Sequence, residues 1–87
     1  MSSYRDRIRD CLQRSLKHLQ LDRTEAAQSV GRELSFVADH VEAVLDLARQ
    51  GVDEAHRWQR AGDTADARVA IFHIVIAIAR AIDVELA

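Results

Sequence analysis

The run V-A-I-F-H-I-V-I-A-I-A, from Val69 to Ala79, is followed by Arg80, Ala81 and Ile82 and is apolar on almost every side. Whatever its secondary structure, the rest of the chain has to cover it, so its reading decides the fold. Its β-branched residues would suit a buried strand, but no turn residues flank it and the chain offers no second strand to pair with it. The expectation is a helix over about 64–86. On a helical wheel Ile71, Ile74, Val75, Ile78, Ile82 and Leu86 share a large-residue face, and Ala70, Ala77 and Ala81 form a small-residue strip beside it. Val69, Phe72, Ile76 and Ala79 lie on the far flank, and His73 and Arg80 make a narrow polar line. Such a helix sits centrally, with neighbours on at least two sides. His73 is expected to be buried beside Arg80 in a structural role.

Working back along the chain, Gly62 with Asp63 or Thr64 marks the clearest loop, ending one helix and capping the next. Before it, Ala26, Val30, Leu34, Val37, Val41, Val44, Leu45, Ala48, Val52 and Ala55 all fall within about 60° of one meridian at 100° per residue. That phase runs through both Gly31 and Gly51, which predicts one long helix over 24–60, continuous or broken near Gly51. Asp22 as N-cap with Glu25 three residues on resembles a capping box. Phe36, Ala43 and Leu47, with Trp58 close by, lie roughly 80–100° round from the seam. At the amino terminus Tyr4, Ile8, Cys11, Leu12, Ser15, Leu16 and Leu19 form a single apolar stripe, predicting a helix over about 3–20 with Ser2 or Ser3 as cap.

Eighty-seven residues make one domain, at the small end of what a single core stabilises. The lone Cys11 excludes an intramolecular disulfide, which leaves a partner chain as the natural supplement to a small core. The absence of proline, only three glycines and 30% charged residues favour helices over sheets. The fold class that follows is all-α: an antiparallel, homodimeric helical bundle of three main helices forming a single domain over residues 1–87. Net charge is −2, but six basic residues face three acidic ones in residues 1–23, while the remainder holds six basic and eleven acidic. Opposite signs in the two parts predict attraction between them, within or between chains. Charges near the amino terminus argue against a secretion signal, and the longest uncharged run, 69–79, is far short of the roughly 20 residues of a membrane span. The expected location is the cytoplasm, with no membrane partner.

No motif for an enzyme survives inspection. Asp53-Glu54-Ala55-His56 matches the DEAH box of RNA helicases, but the Gly-rich phosphate loop which that chemistry needs is missing. Of the four histidines only His56 has a carboxylate three residues away, Asp53, so a metal site lacks ligands and no cofactor is expected. Cys11, on an apolar stripe, reads as a small hydrophobe.

Residues 23–42, R-T-E-A-A-Q-S-V-G-R-E-L-S-F-V-A-D-H-V-E, resemble the helix-turn-helix of bacterial DNA-binding regulators. The likeness is strongest to the E-A-A…G segment of Fis-type domains, with Ala27, Val30, Gly31 and Val37 at matching places. It implies a DNA-binding transcriptional regulator as the alternative function. Against it, Arg32 stands where those families place an aliphatic residue, and Asp39 and Glu42 would face phosphate. The leading expectation is a small non-enzymatic protein-binding module, a homodimeric regulator or inhibitor of a larger protein partner in the manner of small bacterial anti-activators. Its expected anchors are Phe36, Leu47 and Trp58, because desolvated aromatic and large aliphatic side chains dominate interfaces, with Arg5, Arg9 and Arg14 as rim contacts.

Overall fold

Helix α1 (Tyr4–Leu19) starts where polar residues close its first turn. In the computed structural model, which describes residues 3–21, 23–61 and 65–87, the Ser3 hydroxyl accepts from the Asp6 amide at 3.1 Å. The Asp6 carboxylate accepts from the Ser3 amide at 3.4 Å, completing a capping box. The helix buries Ile8, Cys11, Leu12, Ser15 and Leu19, the stripe read from the sequence. Ser15 satisfies its buried hydroxyl on the Cys11 carbonyl at 2.9 Å.

The long central helix of the sequence reading is two helices, α2 (Thr24–His40) and α3 (Leu45–Ala61), joined by a single 3-10 turn at Glu42–Val44. The break falls at Val41, whose extended backbone (φ −130°, ψ 90°) leaves the helix, and Gly51 lies well inside α3. His40 closes the end of α2: its Nδ1–H donates to the Phe36 carbonyl at 2.8 Å, and its ring stacks on Phe36 with centroids 4.1 Å apart. The Tyr4 hydroxyl donates to the His40 carbonyl, satisfying an end group the helix leaves open. At the other end the N-cap of α2 is Arg23, which makes no side-chain capping bond. Asp22 itself, like Gly62, Asp63 and Thr64 of the expected loop, lies outside the described residues.

The two halves of the seam fold against each other. Ala27, Val30, Gly31, Leu34 and Val37 of α2 are buried, as are Ala48, Gly51, Ala55 and Trp58 of α3. A Cβ on Gly51 would stand 2.5 Å from Leu34 Cδ1, so glycine is what permits the close approach there. The same geometry corrects the helix-turn-helix expectation: Thr24–His40 is one uninterrupted helix with no turn at Gly31.

Helix α4 (Ala65–Ala81) completes an up-and-down, antiparallel bundle in which α1 meets α2, α2 meets α3, α3 meets α4, and α4 returns to α1. Tyr4 and Arg7 lie by His40 and Phe36, while Arg5 and Leu19 of α1 lie by Asp83 and Arg68 beyond and within α4, which fixes the opposed directions. Ala67, Ile71, Val75, Ile78 and Ala79 are buried. The helix stops earlier than expected, because Asp83 turns to φ 56°. The Val84 amide donates to the Ala79 carbonyl at 2.9 Å and the Asp83 amide to the Arg80 carbonyl at 3.2 Å, a Schellman motif with aspartate in the usual glycine place. The Arg5 guanidinium donates to the Asp83 carbonyl and secures this turn. The described residues contain helices and turns but no strand, and no helix among them is long and apolar enough to cross a membrane.

Candidate functional site

The residues expected to anchor a partner are dispersed. Trp58 is 0% exposed and fills the core, where its Nε1–H has no acceptor among the described residues; it offers nothing to a docking chain. Leu47 is half-buried and packs on the core. Phe36 is half-buried in the α1–α2 groove, between the His40 ring and the Arg7 guanidinium, which sits 5.7 Å from its ring centroid.

The three arginines are engaged inside the chain. Arg5 holds the Asp83 turn, Arg9 faces Asp6 at 3.3 Å and Asp10 at 3.9 Å, and Arg14 grips Glu33 of α2 through Nε at 3.1 Å and a second nitrogen at 3.0 Å. Of these contacts, Arg14–Glu33 is the ion pair that joins the basic amino-terminal part to the acidic remainder. The Glu33 hydrogen bond raises the pKa of Arg14 above its ordinary value. Cys11 lies beneath this pair, with the Arg14 guanidinium 3.6 Å from its sulfur. Burial, and then the Glu33 carboxylate, push the Cys11 thiol up to about 11. At neutral pH it is a protonated, buried thiol, the opposite of an activated nucleophile.

His73 is exposed, which corrects the expected burial beside Arg80; its ring meets Phe72 edge-on at 5.7 Å. Asp53 and His56 are both exposed on α3. Among the described residues no group of three His, Cys, Asp or Glu side chains is placed to hold a metal ion.

The surface that stands out belongs to α4. Val69 is 56% and Phe72 47% exposed; the other large apolar side chains exposed among the described residues, Tyr4 and Leu21, lie outside α4. Val69 and Phe72 border a groove of about 560 Å³ between α4 and α1, lined from α1 by Leu16 and Leu19, with Ala87 also contributing to its wall. Helices α1 and α4 are the most loosely joined of the neighbouring helix pairs in the bundle. Arg68 spans it, donating to the Leu19 carbonyl at 3.3 Å. Below the Asp83 turn the last residues run back along it, with Val84 and Glu85 beside Arg5 and Arg9, and Leu86 packed on the core. The wheel had already put Val69, Phe72 and Ile76 on the flank that the chain has difficulty covering; Ala79, placed with them, is in fact buried.

Compared with family models, curated proteins and solved structures, the chain matches none.

Proposed function

We propose that the protein is a small non-enzymatic protein-binding module, acting as a homodimeric regulator or inhibitor of a larger partner, and that it docks through the outer face of α4 and the adjoining α1–α4 groove. One observation carries this reading: an otherwise well-buried core leaves Val69 and Phe72 in water beside an apolar groove. Clustered exposed apolar side chains of this kind mark interaction surfaces, and an aromatic residue at the edge of a pocket is the usual energetic anchor. The arginines once expected at the rim are tied up by intrachain partners, which moves the docking residues from α1 and α2 to α4.

Affinity capture from the native host tests the proposal. The wild-type chain is compared with Phe72→Glu, which alters the α4 surface, and with Phe36→Ala, which alters the α1–α2 groove. The expected result is a protein retained by wild type and Phe36→Ala and lost with Phe72→Glu. Equal retention by all three would place the docking surface elsewhere.

A further inference from the structure

Helix α4 carries a second seam on the side away from the core. Asp66, Val69, His73, Ile76 and Arg80 follow one another at alternating spacings of three and four, the interval of helices that pack along their length. Asp66, Val69, His73 and Arg80 are exposed, Ile76 is half-buried, and Phe72 borders the line. The seam has His73 at its centre, the apolar Val69 and Ile76 on either side of it, and opposite charges at its ends. Arg80 makes no ion pair among the described residues. Asp66 has Arg57 within electrostatic reach, but that guanidinium is bound to Glu54, at 3.0 Å from its Nε.

Resting on the protein-binding reading, we propose that one occupant of this face is a second copy of the chain, with the two α4 helices antiparallel about a two-fold axis at His73. Charge selects the direction. A parallel pair would set Asp66 against Asp66 and Arg80 against Arg80, whereas the antiparallel pair sets each Asp66 against Arg80 of the partner subunit. Asp66 and Arg80 each stand seven residues from His73, so a single rotation brings both pairs into register. The same rotation sets Val69 within one residue of the partner's Ile76 and Phe72 within two residues of the partner's Phe72, close to the axis, where aromatic pairs pack favourably. It also puts both α1–α4 grooves on one side of the dimer, open to a larger partner. The seam is about 21 Å long at 1.5 Å per residue, which gives an interface at the small end of specific contacts and a dimer in exchange with monomer.

Sedimentation equilibrium of the full chain, from about 5 to about 500 µM, tests the pairing with Asp66→Arg, Arg80→Asp, the double variant and a one-to-one mixture of the two single variants. Both positions are exposed, so all forms should keep the wild-type helical circular dichroism. Wild type is expected to dimerise, and each single reversal to weaken self-association by about tenfold or more, since it creates like-charge contacts at both ends of the seam. The mixture and the double variant should recover it, because Arg then faces Asp at both ends. Wild type that stays monomeric, single variants that dimerise as well as wild type, or a mixture that stays monomeric would each overturn the pairing. A monomeric wild type that still captures protein through Phe72 would overturn self-pairing alone. A charge-dependent dimer that captures nothing would instead sink the larger-partner reading.

Discussion

Between α2 and α3 small residues set the separation: Gly51 leaves room for Leu34, and Gly31 faces Ala55. Between α1 and α4 no glycine stands on either helix, and a groove of about 560 Å³ is lined by Leu16, Leu19, Val69 and Phe72 among others. The α2–α3 pair carries a groove too, of about 620 Å³, but Gln28, Arg32, Asp39, His56 and Gln59 line much of it. What separates the two grooves is their lining. A groove lined by polar side chains is at ease in water, whereas one lined by apolar side chains leaves surface that water disfavours. In this bundle the close approach of α2 and α3 supplies stability, and the proposed docking surface lies between α1 and α4.

The tight pair is the easier to break. Gly51→Val should cost about 2–3 kcal/mol, because a branched side chain must displace the fully buried Leu34. Urea denaturation followed by circular dichroism measures it, and an unchanged midpoint would mean that α2 and α3 are not in close contact there. Cys11 reports on how firmly α1 is seated. Its pKa is raised from 9.0 to about 11 on folding, so between those values the folded chain holds a proton that the unfolded chain has lost. The stabilisation is complete below pH 9 and is lost as pH rises through 11, on the order of 2 kcal/mol. Denaturation at a series of pH values, with Cys11→Ala as reference, isolates this slope.

Smaller effects sharpen the contrast. Gly31 is the counterpart of Gly51 with room to spare: an added Cβ would meet Ala55 Cβ at 3.7 Å, an ordinary contact. Gly31→Ala should therefore stabilise by about 0.5–1 kcal/mol through helix propensity alone, seen as a raised urea midpoint. Two neighbouring glycines on one interface are thus expected to respond with opposite signs. On the loose side, Phe72→Glu should change the stability of the monomer by less than about 0.5 kcal/mol while removing docking. A large loss of stability in that variant would show that Phe72 belongs to the core.

Much of this was legible in the sequence, for reasons that also explain what was missed. Helix α1 was readable to within a residue at each end because one stripe and one cap coincide there. The division of α4 into covered and uncovered sides was likewise written in its periodicity. The break at Val41 was hidden because α2 and α3 face the same core, so the apolar phase continues across the turn between them. Gly51 misled for a related reason: glycine commonly ends helices, but here it serves a close approach that only the folded partner helix defines. Trp58 has the composition of an interface anchor, and nothing local distinguishes a tryptophan that binds a partner from one that fills a core. The intrachain roles of Arg5 and Arg14 depend on Asp83 and Glu33, which are distant in sequence and become neighbours only when the bundle closes.

Trp58 is the only tryptophan in the chain and is fully enclosed. Its fluorescence should therefore be blue-shifted in the native protein and move to the red when the bundle opens. Neither the outer face of α4 nor the groove touches it, so its emission should be blind to a partner arriving there. The molecule carries a built-in optical gauge that registers folding and ignores association.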